Sequence, residues 1–152
     1  MEYEIVELNE KVVAGYADVT SNTAPDMGAK ISALWQKLYS GTAQTMQDKV
    51  NAKAIGLYCD YGIPSKDDYT VLAGCEVSSK DAALKAGLAV KTIPAGKYAK
   101  FTVYGDVQKA VADAWGAIWN TPLERTFTGD FEEYQEDSDG RTGTIFIYIA
   151  VK

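Results

Sequence analysis

Apolar residues recur at spacings of three and four positions in two stretches of the chain, which is the pattern of an amphipathic helix. The first stretch contains Ile31, Leu34, Trp35 and Leu38, and the second contains Val107, Val111, Ala114, Trp115 and Ile118. Asp106 precedes the second stretch as a candidate N-cap, and Pro122 follows its end. The pattern therefore predicts two main helices, each with one apolar face.

Other parts of the chain alternate between apolar and polar positions, or are apolar throughout, over lengths typical of strands. Predicted strands cover residues 55–61, 71–77, 126–136 and 144–151. In the last of these, Ile145, Ile147 and Ile149 alternate with Phe146 and Tyr148. Because both of its faces are apolar, we expect this strand to lie centrally in a sheet or to be covered on both sides.

The two helical stretches resemble each other, which suggests an internal repeat. Trp35 matches Trp115 and Tyr39 matches Trp119 at the same separation along the chain. A strand with a glycine-containing bend (around Gly15 and Gly96) precedes each helix, and a strand pair follows it. The predicted fold is α+β: one domain over residues 1–152, built as a tandem pseudo-twofold repeat of βαββ units with antiparallel sheets and a central cleft. Repeat one covers about residues 1–77 and repeat two about residues 88–152, joined by a linker with a short helical turn.

Composition narrows the range of functions. A net charge of −6, from 15 basic and 21 acidic residues, disfavours direct binding to nucleic acid and favours a cationic partner. The chain has no histidine and no glycine-rich phosphate loop, so no triad, metal site or cofactor is predicted. Cys59 and Cys75 lack the spacing of a metal or redox motif. No apolar run spans a membrane and the N-terminus lacks a signal-peptide pattern, so we expect a cytoplasmic protein.

The segment Asp130–Tyr134 combines carboxylates with aromatic rings. In a strand, Glu132 and Tyr134 point to one face, while Phe131 and Glu133 point to the other. Two interpretations of Glu132 remain open: an exposed strand carboxylate, or an enclosed one beside an aromatic ring. An enclosed carboxylate suits a lipophilic cation, and burial would also raise its pKa. Glu76 is similarly either a strand-end residue facing water or a second acidic group in the cleft.

The predicted repeat is asymmetric at this point. Tyr61 and Tyr134 occupy equivalent places before the two turns, but two residues earlier the first unit has Cys59 and the second has Glu132. The seam between the units is therefore expected to carry a single acidic centre. The aromatic residues of the two helices either fill the core or line this seam.

Several segments together resemble the gyrase-inhibitor-like (GyrI-like) family, which includes effector-binding domains of AraC-type and multidrug-sensing bacterial regulators. They are residues 93–101 (IPAGKYAKF), 73–77 (AGCEV), 115–119 (WGAIW) and 130–134 (DFEEY). The Asp-Phe-Glu-x-Tyr form is most similar to the integron-associated effector-binding subgroup. The resemblance covers nearly the whole chain.

This resemblance implies a cleft that binds lipophilic, often cationic compounds around an acidic residue. Glu132 and Tyr134 match the acidic and tyrosine positions of the family motif. The residues placed where family members supply aromatic walls are Trp35, Tyr98, Trp115 and Trp119. Unlike the regulators, the chain shows no helix-turn-helix segment, so transcription regulation would need a separate regulatory protein partner.

Three functions follow as hypotheses. The leading one is a stand-alone binding protein that senses or sequesters cationic, drug-like compounds. The second is a hydrolase of reactive electrophilic toxins, in which Glu132 would activate water or protonate the substrate. The third is a protein-interaction role such as gyrase inhibition. A non-enzymatic function is favoured over catalysis.

Overall fold

The predicted strands form part of one eight-stranded antiparallel sheet in the computed structural model, which describes all residues 1–152. The strands are β1 (Glu4–Leu8), β2 (Lys11–Ser21), β3 (Ala54–Cys59), β4 (Asp68–Val77), β5 (Ala89–Ile93), β6 (Gly96–Asp106), β7 (Asp130–Tyr134) and β8 (Thr142–Ala150). Their order across the sheet is β1-β6-β8-β7-β3-β4-β2-β5. The α+β class and the antiparallel pairing are thus confirmed.

Four helices accompany the sheet. They are α1 (Met27–Lys37), α2 (Ala43–Thr45), α3 (Lys80–Lys85) and α4 (Val107–Trp119). A π-helical turn at Leu38–Thr42 joins α1 to α2, and Gly41 within this turn breaks the helical geometry with a φ of 124°. The predicted cap of α4 is confirmed, since Asp106 Oδ1 accepts a hydrogen bond from Lys109 N at 3.0 Å. None of these helices combines the length and the apolar composition that a bilayer span requires.

Two local expectations were wrong. The strand predicted over residues 126–136 is confined to β7, because Phe127 (φ 56°) and Gly129 (φ 156°) interrupt the extended chain before it. Gly15 lies inside β2 rather than at a bend. It pairs with Gly74 of β4, and a Cβ at position 15 would lie 2.0 Å from the Ala73 carbonyl oxygen. Glycine is needed there because the two strands approach each other closely.

The strand order has the same arrangement on both sides of the β3–β7 pair. Reading outward from this pair, β3 is followed by β4 and β2, and β7 is followed by β8 and β6. The strand that precedes each βαββ unit joins the other unit: β1 pairs with β6 and β5 pairs with β2. Hydrogen bonds therefore join residues on the two sides of the predicted boundary at residues 77–88. Descent of the two units from one copied sequence remains a prediction.

The helices pack on one face of the sheet. Under α4, the side chains of Ile145, Ile147 and Ile149 are fully buried with Ala114 and Ile118. On the opposite face of the sheet, side chains from several strands pack against one another in a second core, which includes Tyr148 and Phe131. Strand β8 lies between β6 and β7, which confirms that it is an interior strand covered on both sides.

Candidate functional site

A cavity of about 1480 Å³ lies over the middle of the sheet, where β3 and β7 run side by side. Both main helices contribute to its walls. The lining residues from α1 include Ile31, Trp35 and Gln36, and those from α4 include Val111, Trp115 and Trp119. The two units therefore meet around one shared space, which we call the central cavity.

Glu132 lies at the base of the central cavity. It points to the cavity face of β7 and its side chain is only 2% exposed. The residue opposite it in β3 is Gly56. A Cβ at position 56 would lie 3.1 Å from Glu132 Oε1 and 3.1 Å from the Trp35 ring. The glycine therefore leaves the space that the carboxylate and the indole occupy.

Three neutral donors hold the Glu132 carboxylate. Trp115 Nε1 donates to Oε2 at 2.7 Å, and the Tyr58 hydroxyl donates to the same oxygen at 2.9 Å. The Tyr134 hydroxyl donates to Oε1 at 2.8 Å. None of the ion pairs in the structure involves Glu132. This buried acid is thus well oriented but has no cationic partner.

The electrostatics of this cluster follow from its burial. Desolvation raises the pKa of Glu132, and the three hydrogen bonds oppose that rise without reversing it. Burial and the nearby Glu132 charge raise the pKa of both Tyr58 and Tyr134. Both phenols therefore stay protonated and act as donors. In its charged form, Glu132 is an anion in a poorly hydrated site, and a cation entering the cavity would compensate its charge.

Aromatic rings from the first unit form one wall. Trp35 stacks on Tyr39 with ring centroids 5.9 Å apart, and its indole meets the Tyr134 ring edge-on at 5.3 Å. Tyr39 is mostly exposed, so this wall runs from the buried carboxylate to solvent.

Rings from the second unit form the facing wall. The Trp115 ring meets the Tyr58 ring edge-on, with centroids 5.5 Å apart. Trp115 also lies beside Trp119, with ring centroids 6.3 Å apart. Trp119 is exposed on the rim of the cavity. The structure thus brings together five of the residues singled out from the sequence: Glu132, Tyr134, Trp35, Trp115 and Trp119.

The other two lie elsewhere. Tyr98 is buried on the opposite face of the sheet, where its ring meets Phe131 and its hydroxyl donates to the Pro94 carbonyl at 2.6 Å. Glu76 forms an ion pair with Lys11 at 3.3 Å. Neither residue lines the central cavity. The expectations that Tyr98 supplies a wall and that Glu76 adds a second acidic group to the cleft therefore do not fit their positions.

Sequence reasoning missed Tyr58, because the repeat alignment paired Tyr61 with Tyr134. In the sheet, Tyr58 and Tyr134 donate to the two oxygens of Glu132. Cys59, which the alignment placed at the position of Glu132, is buried in the core of the opposite face. The strand register supplies the missing signal: Gly56 faces Glu132, and Tyr58 shares the face of Gly56.

A second buried carboxylate adjoins the cavity, and it does have a cation. Asp130 is 0% exposed and binds Arg125 Nη2 at 2.6 Å. It also accepts hydrogen bonds from the Tyr61 hydroxyl at 2.6 Å and from Ala150 N at 2.8 Å. This network links the loop before β7 to the end of β8, and it is a structural ion pair rather than an open binding group.

No group of three or more His, Cys, Asp and Glu side chains is arranged to hold a metal ion. Around Glu132 the cavity offers one buried carboxylate, neutral hydrogen-bond donors and aromatic faces.

The raised pKa of Glu132 makes protein stability pH-dependent. Its folded-state pKa lies above the ordinary value of 4.5, so its contribution to stability is complete below that value and is lost as the pH rises through the folded-state pKa. We expect the free energy of unfolding of the unliganded wild type to fall relative to that of Glu132→Gln as the pH rises above 4.5. Urea unfolding of both proteins over a series of pH values measures it, and a constant difference would contradict it.

Comparison with known proteins places these features in a family. The family model described as integron-associated effector binding protein (Cass2) matches residues 4–151. The protein YobU of Bacillus subtilis (strain 168), provisionally named as a transcriptional regulator, is 32% identical over 156 residues, covering 97% of this chain and 96% of YobU.

Two solved structures share the fold over nearly the whole chain. An integron cassette protein from the mobile metagenome of Vibrio cholerae is 31% identical, with a TM-score of 0.79 over 99% of this chain and 95% of that one. The structure of SAV2435 bound to tetraphenylphosphonium is 21% identical, with a TM-score of 0.82 over 100% of this chain and 94% of that one. The resemblance noted from the sequence is thus confirmed, and the chain belongs to the integron-associated effector binding family (Cass2) of the GyrI-like superfamily.

Proposed function

We propose that this chain is a cytoplasmic binding protein for lipophilic cations, which it senses or sequesters through the central cavity. The observation that carries the proposal is Glu132: a carboxylate that is 2% exposed, is held by three neutral donors and has no cationic partner. In proteins generally, removing one partner from a buried charge pair destabilises the folded state by about 3–5 kcal/mol. A site that keeps its carboxylate unpaired is thus prepared for a cation from outside.

The surroundings of Glu132 favour a cation with an apolar exterior. Trp35 and Trp115 present aromatic rings on opposite sides of the cavity, and such rings attract cations by about 0.5–2 kcal/mol each. Three of the acceptor positions of the carboxylate are already used by protein donors. A quaternary cation needs no hydrogen bond from the site, whereas a primary ammonium ion would lose hydration that the site replaces poorly.

The relatives support this proposal. SAV2435, which shares the fold, was solved with tetraphenylphosphonium bound, and the family is one of effector-binding proteins. A role in transcription would pass through a separate DNA-binding partner, because a net charge of −6 disfavours contact with nucleic acid.

Tetraphenylphosphonium and tetraphenylborate test the proposal directly, because the two ions have nearly the same shape and opposite charge. We expect the cation to quench tryptophan fluorescence saturably, since Trp35, Trp115 and Trp119 all line the cavity. The anion should bind far more weakly, because Glu132 repels it. Equal binding of both ions would show that the cavity selects for shape and hydrophobicity alone, and would overturn the proposal.

A further inference from the structure

The aromatic lining of the central cavity extends well beyond the surroundings of Glu132. From Tyr58, which binds the carboxylate, a row of rings leads toward one end of the cavity. Ring centroids are 5.8 Å apart from Tyr58 to Tyr69, 6.1 Å from Tyr69 to Tyr61 and 5.6 Å from Tyr61 to Phe127. Tyr58, Tyr61, Tyr69 and Phe127 all line the cavity. An elongated ligand anchored at Glu132 would therefore meet aromatic side chains along its whole length.

Phe127 marks the far end of this row. Its side chain is 52% exposed although it is apolar, and its backbone has a φ of 56°, a left-handed conformation that is uncommon for phenylalanine. The Arg125 guanidinium lies 4.3 Å from the centroid of its ring and the Tyr61 ring meets it edge-on. Its neighbours thus hold the ring at the cavity wall rather than in the core.

The charge at this end of the cavity is negative. Arg125 lines the cavity there, but its charge is compensated by buried Asp130 at 2.6 Å. The charged lining residues in the segment between Tyr61 and Tyr69 are Lys66, Asp67 and Asp68, one base against two acids. None of them takes part in an ion pair, and Asp68 Oδ2 accepts a hydrogen bond from Ser65 N at 3.2 Å. Aromatic rings and net negative charge together favour a second cationic group.

We propose that the central cavity has two cation subsites, one at Glu132 and one between Phe127 and the Asp67–Asp68 segment, so that its ligands include elongated dications. This inference rests on the proposed function. The cavity volume of about 1480 Å³ exceeds the range of about 300–1,000 Å³ that is usual for a single small ligand. A dication fills more of this space, and linking the two charged groups makes the second contact intramolecular.

Decamethonium and decyltrimethylammonium distinguish one subsite from two, because they share a ten-carbon chain and one trimethylammonium group and differ in the second. We expect decamethonium to bind at least about fivefold more tightly at low salt, an advantage that exposed and partly exposed carboxylates can supply. The double variant Asp67→Asn with Asp68→Asn should bring the two affinities together, because it weakens the binding of decamethonium much more than that of decyltrimethylammonium. Isothermal titration below the micelle concentration measures all four affinities.

Glu136 provides a matched control, because it lines the cavity without belonging to the ring row and accepts a hydrogen bond from Ala52 N at 3.3 Å. The Glu136→Gln variant should keep the preference for decamethonium. Equal affinities of the two ligands for the wild type, or a preference that survives in the Asp67–Asp68 double variant, would overturn the second subsite while leaving the Glu132 site standing. Failure of both ligands to bind would instead contradict the proposed function, and the second subsite with it.

Discussion

Replacing Glu132 by glutamine is expected to weaken the binding of tetraphenylphosphonium about 100-fold, which corresponds to about 2.7 kcal/mol. The variant keeps the shape of the cavity and removes its one buried, unpaired charge. Truncating one partner of a buried charge pair at a binding site costs about 2–5 kcal/mol. We place the effect toward the lower end, because the aromatic contacts from Trp35 and Trp115 remain. Fluorescence titration of both proteins at the same pH and ionic strength measures the ratio.

The variant should fold, because glutamine preserves the hydrogen-bond pattern around position 132. Its amide oxygen accepts from Trp115 Nε1 and from the Tyr58 hydroxyl, as Oε2 does in the wild type. Its amide nitrogen then faces the Tyr134 hydroxyl, which accepts as readily as it donates.

Glu133→Gln is the matched control. Glu133 is the next residue on the same strand and is also buried, but it faces the other side of the sheet, where Lys53 lies 3.8 Å away and Gln135 Nε2 lies 3.0 Å away. The two variants change the net charge equally, so a general electrostatic effect would weaken binding in both. We expect a change below about twofold for Glu133→Gln, because this carboxylate does not line the cavity and the nearby Lys53 compensates its charge.

The two remaining outcomes are equally informative. Unchanged affinity in Glu132→Gln would remove the carboxylate from ligand recognition. Retained binding combined with loss of turnover of a reactive electrophile would support the hydrolase hypothesis, in which the raised pKa of Glu132 serves proton transfer.

The parts of the fold that local patterns determine were predictable from the sequence. The apolar spacing around Trp35 and Trp115 identified both main helices, and Asp106 marked the start of α4. The two apolar faces of residues 144–151 placed β8 inside the sheet. Alternation along β7 separated Glu132 and Tyr134 from Phe131 and Glu133, which is the separation seen in the structure.

The partners of Glu132 depend instead on strand register, which a single sequence does not encode locally. Aligning the turns paired Tyr61 with Tyr134, whereas the β3–β7 register sets Gly56 opposite Glu132 and brings Tyr58 to the carboxylate. Tyr61, which the alignment of the turns selected, lies three residues after Tyr58, which the structure places at the carboxylate. An odd shift moves a residue to the other face of a strand, which is why Cys59 lies in the opposite core.

Tyr98 shows a related limit. Both faces of this sheet are covered, one by helices and the other by the sheet itself. An aromatic residue in a strand therefore has two buried environments open to it, and periodicity alone does not say which one faces the cavity. Tyr98 packs with Phe131 and Tyr148 on the side away from Glu132.

Replacing Arg125 by methionine is expected to lower the free energy of unfolding by about 3–5 kcal/mol, the range found when one partner of a buried pair is removed. Asp130 is 0% exposed, and Arg125 Nη2 at 2.6 Å is its only cationic partner. The Tyr61 hydroxyl and Ala150 N still donate to the carboxylate in the variant, but neutral donors do not compensate a full charge. Urea denaturation monitored by circular dichroism measures the loss.

The double variant Arg125→Met with Asp130→Asn is the control. Asparagine keeps an acceptor for Ala150 N and has no charge, so the double variant should recover much of the stability that the single variant loses. A single variant that loses less than about 1 kcal/mol would show that the pair behaves like an exposed one. Equal losses in the single and double variants would show that lost packing by the arginine side chain, rather than the unpaired charge, is responsible.

The contrast between Asp130 and Glu132 gives these measurements their functional meaning. The two carboxylates are two residues apart on the same face of β7, and both are buried. Neutralising Glu132 should leave the free protein as stable or make it more stable, because the site lacks a cation. Removing the cation from Asp130 should destabilise it strongly. If both variants behave as expected, only one of the two acids has its charge compensated within the chain, and the other is left to pair with a ligand that supplies the missing cation.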